Sequence, residues 1–440
     1  MITTHILDGW KPECSDGMMI GILGGGLTGL TIASTLKKGD YEILEKNKEC
    51  GGLCRSVVEE GFTFDCFGGH ILYSREKWFL EWVGNILGEN NQKKKRNNRI
   101  LIKDRKIKYP FENDLAGLPI KDNIRCLYYY LFNKYSKTKP QNFKHWIYHT
   151  FGKGIAELYL IPYNEKIWNH KTEDMSLHWV EGRVPKPPRI DVLKSAIGIP
   201  TEGYKHQLYF YYPKHGGIQA LIKALEQKAT NIKTGFEVRK IRKQGSRWVV
   251  NDSRSYDKLI STIPIMELIG ALDDVPPKVR EAAKNLKFNS LVTVLLGLDA
   301  ANPTDMTAIY IPDKKFLFHR VCFMNNFSEY NSPKGKFGLV AEITVNKSEL
   351  DDSEITEHTI NGLNELKLIN KKDIVYTKVV RTKYAYVVYD SDYLANIKIV
   401  CDYVKSLGII LCGRFAEFEY LNMDACIKRA LVVGKCIMSR

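Results

Sequence analysis

A glycine turn set between two short apolar runs constrains this 440-residue chain more than any other feature. Met19-Ile20-Gly21-Ile22-Leu23 has the composition of a strand buried on both faces, as in a parallel sheet. Gly24-Gly25-Gly26-Leu27-Thr28-Gly29 comes next and carries G-x-G-x-x-G at Gly24, Gly26 and Gly29. Residues 30–36 read as an apolar helix, and Tyr41-Glu42-Ile43-Leu44 as a second strand ending at Glu45. Gly24 permits the tight turn, Gly26 leaves room for a pyrophosphate against the backbone, and Gly29 lets helix and strand approach. The helix N-terminus, with Leu27 and Thr28, offers unpaired N–H groups and the positive end of the helix dipole to phosphates. Glu45, 21 residues after Gly24, stands where a carboxylate accepts from ribose hydroxyls. Strand, helix, strand and acid in register predict an α/β chain with a Rossmann-type dinucleotide-binding unit.

The identity of the dinucleotide depends on the segments downstream of Glu45. Glu49-Cys50-Gly51-Gly52-Leu53-Cys54-Arg55-Ser56 puts a second glycine turn and an arginine just beyond the second strand. Here the chain resembles the FAD-dependent superfamily of amine oxidases, protoporphyrinogen oxidase, phytoene desaturase and UDP-galactopyranose mutase. The resemblance implies that Gly52, Leu53 and Arg55 sit over the FAD diphosphate and ribityl chain. Gly235-Phe236-Glu237-Val238 is similar to that superfamily's strand beside the adenine, with Val238 at the contact. Tyr212-Pro213-Lys214-His215-Gly216-Gly217-Ile218 precedes a helical stretch at 219–227, and residues 256–264 look like the strand that returns to the FAD domain. No second G-x-G-x-x-G occurs, so no resident nicotinamide domain is expected.

Four segments narrow the resemblance to the UDP-galactopyranose mutase family. Phe67-Gly68-Gly69-His70-Ile71-Leu72-Tyr73-Ser74 resembles its flavin-facing histidine loop, which implies Gly69 and His70 at the cofactor. Pro162-Tyr163-Asn164-Glu165-Lys166-Ile167-Trp168 is similar to its P-Y-N-x-K-x-W pattern, and Arg183 lies fifteen residues after the tryptophan. By resemblance, Tyr163, Asn164 and Trp168 would meet the uracil or sugar, with Arg183 near the nucleotide or flavin. The third segment, 318–328, looks like a family strand with Arg320 in the position of a diphosphate-binding arginine, followed by a strand that Glu342 ends. In the fourth, Gly413-Arg414-Phe415-Ala416-Glu417-Phe418-Glu419-Tyr420-Leu421-Asn422-Met423-Asp424 is similar to G-R-L-x-x-Y-x-Y-L-D-M-D. It implies Arg414 as a second diphosphate arginine, Tyr420 as a phenol donor, Gly413, Arg414, Asn422 and Met423 beside the flavin, and Asn422 at the substrate as well. Tyr386 takes the place of another substrate tyrosine. The family's aspartate is Asn422 here, which separates this chain from the bacterial pattern. Planar guanidinium forks hold a diphosphate better than ammonium groups, so Arg320 and Arg414 together would clamp departing UDP.

Charge and cysteines add less. Lys and Arg number 65 against 50 acids, for a net charge of +15. Residues 93–108 hold nine basic residues and one acid, read as a solvated face without any nucleic-acid-binding signature. The ten cysteines show no zinc spacing, even where Cys50, Cys54 and Cys66 cluster, so free thiols and no metal are expected. No apolar run reaches the roughly 20 residues of a membrane span, and no basic-then-apolar leader opens the sequence. The expectation is a cytoplasmic protein, monomer or homodimer, with no stable membrane insertion and no nucleic-acid partner.

The expected organisation is a discontinuous FAD domain (18–105, 215–265 and 405–440), a helical cap (106–200) and a mixed or antiparallel substrate-binding sheet (266–404). The family resemblance implies a non-redox flavoenzyme that interconverts UDP-galactopyranose and UDP-galactofuranose, or a related UDP-sugar, through a flavin N5–sugar adduct. His70, Arg320 and Arg414 would serve the chemistry, and NADPH or NADH would be a transient reductant. The alternatives are an FAD-dependent oxidase or desaturase, which needs no arginine clamp, and a non-catalytic FAD-binding or anion-binding protein.

Overall fold

A computed structural model describes residues 17–180, 186–201, 208–346 and 350–438. Five segments far apart in sequence build a parallel sheet in the order Ile410–Leu411, Lys258–Ser261, Ile20–Leu23, Tyr41–Leu44, Ile232–Lys233. Ile20–Leu23 is its central strand and is buried along its whole length, as its unbroken apolar composition requires. Helix Leu27–Ala33 leaves the glycine turn, and the last helix, Met423–Met438, packs against it. The first of these begins and ends three residues earlier than the sequence pattern predicts. Beyond Ala33 the amides of Thr35 and Leu36 reach back only three residues, which tightens the final turn.

The large sheet has seven strands in the order Ile374–Val387, Phe288–Leu298, Phe337–Val345, Arg320–Phe323, Ala308–Tyr310, Asn98–Ile102, Arg105–Lys108. All neighbours are antiparallel except Ala308–Tyr310 beside Asn98–Ile102, so the sheet is mixed. Strand Phe288–Leu298 serves more than one core by period-two alternation. Val292, Val294, Leu296 and Leu298 pack toward helix Asp352–Glu365, while Leu291 and Leu295 join the clusters on the dinucleotide-binding side. A third layer holds helices Ile120–Leu131, Phe143–Ile155, Ile161–Trp168 and Arg189–Ala196.

Three local expectations are corrected. Phe236–Val238 is not a strand; it runs alongside residues 45–47, with the Phe236 amide on the Glu45 carbonyl at 2.8 Å and the Gly235 amide on that of Asn47 at 2.9 Å. The hairpin Asn98–Ile102/Arg105–Lys108 straddles the expected boundary at 105 and extends the large sheet. Glu342 lies within strand Phe337–Val345 rather than at its end, and is fully buried.

Candidate active site

A cavity of about 930 Å³ opens where the parallel sheet, the large sheet and the segment 414–423 meet. That is near the top of the range for small-molecule sites. Its first region is built of glycine. Gly24 has φ +102°, and a Cβ there would stand 2.6 Å from Thr262 Oγ1. A Cβ on Gly29 would collide with the Gly24 carbonyl oxygen, so Gly29 serves helix–turn packing and does not line the cavity. Gly26 and Gly52 face each other across the opening; a Cβ on either would meet only the other's Cα, at 3.9 and 3.5 Å. The two glycine turns are joined by the Gly51 amide donating to the Gly25 carbonyl at 2.9 Å. Leu27, Thr28, Leu53, Arg55, Asn422 and Met423 complete this region, while Gly413 stands behind it, against Thr28.

Glu45 is held where the second strand ends. One carboxylate oxygen accepts from the Gly25 amide at 2.8 Å and the other from the Asn47 amide and side chain, both at 2.8 Å. Val238 and Phe236 line the cavity beside it.

The region with reactive groups is organised by Asp65. Its buried carboxylate accepts from the His70 amide (3.0 Å), the Ile218 amide (3.1 Å), Ser56 Oγ (2.8 Å) and Tyr212 Oη (2.9 Å). This pins the loop that carries His70. His70 Nδ1 lies 2.7 Å from the Gly68 carbonyl, which can only accept, so Nδ1 carries the proton and Nε2 is the acceptor. Burial, with Arg320 and Arg414 adding to it, lowers the His70 pKa to about 4, and the imidazole is neutral at pH 7.

The two arginines have different surroundings. Arg320 Nε and Nη2 bind the Glu342 carboxylate at 2.6 and 2.7 Å, a bidentate pair across adjacent strands. Its charge is therefore balanced within the protein. Burial works against that charge and Glu342 more than offsets it, holding the guanidinium well above its ordinary pKa. Gly68, at φ +92°, is glycine because a Cβ would stand 2.6 Å from Glu342 Cδ. The clearance at Gly68 thus accommodates a protein carboxylate, and that at Gly69 the Phe327 ring.

Arg414 has no carboxylate partner among the described residues. It donates to the carbonyls of Leu421 (3.0 Å) and Ala385 (2.6 Å) and lies over the Tyr420 ring at 4.2 Å, with Tyr386 at 5.7 Å. Tyr386 and Tyr420 stack at 6.2 Å. Burial, with Glu342 adding to it, pushes the Tyr386 phenol up, so it keeps its proton and stays a donor.

Three expected contact residues stand behind this wall. Trp168 is buried, with its ring edge-on to Tyr420 (5.5 Å) and Tyr386 (5.9 Å). Asn164 accepts from Trp168 Nε1 at 3.2 Å and donates to the Leu160 carbonyl. Tyr163 stacks on Tyr159 and meets Tyr310 edge-on. None of the three lines the cavity; Trp168 buttresses two tyrosines that do, and Asn164 holds Trp168. Arg183 lies outside the described residues. Several lining residues go beyond the sequence expectation, Arg96 and Tyr73 among them. Arg96 belongs to the basic stretch expected to be solvated, yet it turns inward over Tyr73 and Tyr109 at 5.9 and 5.2 Å. Tyr73, inside the histidine segment, has no motif of its own to single it out.

The residues fit a flavin dinucleotide. Facing glycines form a cradle that side chains would fill, and the Nε donors of Arg55 and Arg414 are buried in the wall without a partner in the described structure. Cys54 and Cys426 also line the cavity, but burial pushes both thiols up, so neither is a thiolate nucleophile at neutral pH. All nine described cysteines are free.

Comparison with known proteins agrees with this geometry. Residues 22–82 match the family of NAD(P)-binding Rossmann-like domains, and residues 189–393 match the flavin containing amine oxidoreductases. A crystal structure of reduced UDP-galactopyranose mutase superposes with a TM-score of 0.88 at 25% identity, over 96% of both chains. A putative protoporphyrinogen oxidase from Exiguobacterium sp. gives 0.76 at 18% identity, over 97% of this chain and 100% of that one. The inactive all-trans-retinol 13,14-reductase of Danio rerio is 35% identical over 71 residues, 16% of this chain and only 12% of that relative. By fold and family match, the chain is a member of the FAD-dependent amine oxidase-like superfamily. Within that superfamily its fold is UDP-galactopyranose mutase-like.

Proposed function

We propose that the protein is an FAD-dependent UDP-sugar mutase that interconverts UDP-galactopyranose and UDP-galactofuranose, or the two ring forms of a related UDP-sugar. The observation that carries this reading is Arg414, an arginine with no acid partner in the described structure, set between two cavity-lining tyrosines on a fold that matches a reduced mutase along nearly its whole length. Bound and reduced, the flavin supplies the nucleophile toward the sugar's anomeric carbon. Arg414 holds the departing diphosphate, where a fixed cation in a water-poor cavity acts most strongly. The phenols of Tyr386 and Tyr420 donate to the same oxygens. Neutral His70 offers Nε2 as an acceptor and brings no positive charge to the flavin side. Gly26, Gly52, Arg55 and Glu45 hold the dinucleotide, and NADPH or NADH is its transient reductant.

The Arg320–Glu342 pair favours a second reading, an oxidase or desaturase of the same superfamily. A guanidinium balanced by a carboxylate attracts a diphosphate weakly, and a two-arginine clamp is the feature that sets the mutase apart. Anaerobic conversion of UDP-galactofuranose by dithionite-reduced protein, measured by chromatography, separates the two. Conversion by the reduced and not the oxidised form supports the mutase; UDP that neither reacts nor binds supports the oxidase. Arg414→Ala should lower turnover by about 10²–10³-fold with the flavin still bound. A variant that turns over normally, or one that loses its yellow colour, removes Arg414 from the proposed role.

A further inference from the structure

Eight of the thirteen large apolar side chains that the described structure leaves exposed lie between residues 120 and 199. Five belong to helix Ile120–Leu131 and its end: Ile120, Ile124, Tyr128, Leu131 and Phe132, each 53–69% exposed. At 3.6 residues per turn the first four fall within an arc of about 80°. The opposite side of the same helix is the buried one, where Asn123 donates to the Ala196 carbonyl at 2.9 Å and Cys126 packs on Gly154. Ile190, Ile197 and Ile199 flank that junction and are also exposed. So much clustered apolar surface on a folded chain marks a contact surface.

The basic stretch 93–108 meets the start of the same helix. Lys103, in the turn of its hairpin, pairs with Asp122 of the helix at 2.5 Å; Arg105 donates to the Gly117 carbonyl at 3.4 Å and Lys108 to that of Thr201 at 2.9 Å. Lys106, Lys121, Lys134, Lys137, Lys139, Arg189 and Lys194 are exposed and have no carboxylate partner among the described residues. A second copy of the chain brought onto this face would set like charges against like. An anionic surface would not.

We propose that this face docks the protein on an anionic phospholipid bilayer surface. The isoleucines and aromatics enter the headgroup boundary and the lysines and arginines meet lipid phosphates, the two contributions that hold a peripheral protein on a membrane. No described helix is long and apolar enough to cross a bilayer, so the attachment is peripheral and reversible.

The test is flotation of the flavin-loaded protein with vesicles of phosphatidylcholine alone or of phosphatidylcholine mixed with phosphatidylglycerol. The expected result is flotation with the mixed vesicles only, reversed by added salt. Ile124→Glu with Phe132→Glu should weaken it by roughly tenfold or more, with flavin content and melting temperature unchanged. If that pair unfolds, Lys106→Glu with Lys121→Glu decides, through the salt-sensitive part. No flotation with either vesicle, or undiminished flotation of the variants, overturns the proposal. So does a dimer in sedimentation equilibrium that Ile124→Glu dissociates while vesicles are ignored; a second copy would then cover the face.

Discussion

Gly26 and Gly52 illustrate what a single residue contributes here. Each is small because something else must occupy the space between them, and that requirement is local enough to be read from spacing alone. Gly26→Val should therefore expel the flavin while leaving the sheet intact, seen as loss of visible absorbance with unchanged far-ultraviolet circular dichroism. His70 yields a second prediction. Its folded pKa of about 4 lies below the ordinary 6.5, so the folded state binds fewer protons than the unfolded state between those values. The stability it contributes is fully present above pH 6.5 and is lost as pH falls toward 4, by up to about 1.4 kcal/mol per pH unit. His70→Asn should flatten that part of a melting-temperature profile. Arg96 shows the limit of residue-level reading. Nothing in a run of lysines distinguishes the cation that turns inward, because two of its tyrosine partners, Tyr73 and Tyr310, come from distant segments.

At the scale of the element, the strands are easier to anticipate than their register. The apolar run Leu291–Leu298 marks a strand, but only sheet geometry sets Arg320 opposite Glu342. That pairing adds a cross-strand tie to an arginine that also lines the cavity, and explains the glycine at 68. Glu342→Ala should cost about 3–5 kcal/mol in urea unfolding, because it leaves the Arg320 charge without its partner. The helix Ile161–Trp168 behaves similarly. Its Tyr, Asn and Trp are conspicuous as a motif, yet none of them lines the cavity: Trp168 packs behind Tyr386 and Tyr420, and Tyr163 against Tyr159 and Tyr310. A sequence motif records that a segment matters to a site without recording which of its faces reaches the ligand.

For the whole molecule, the cavity walls come from both sheets and from the segment 414–423, so a bound flavin bridges parts that otherwise meet at an open space. Occupancy at about 100 times the dissociation constant should stabilise the fold by about 2.7 kcal/mol, visible as a lower melting temperature after the cofactor is stripped and recovery on adding FAD. The α/β class is readable from one strand–helix–strand unit. The exact course of the chain between layers is not, since the hairpin at 98–108 is drawn to the large sheet by Ala308–Tyr310, some two hundred residues away. The parallel sheet, finally, is finished by Ile410–Leu411, and the glycine turn is backed by Gly413 and helix Met423–Met438. During synthesis the cofactor pocket therefore cannot close until residues 410–438 have left the ribosome. A nascent chain stalled before residue 410 should emerge colourless, because it lacks both the edge strand and the helix behind the glycine turn.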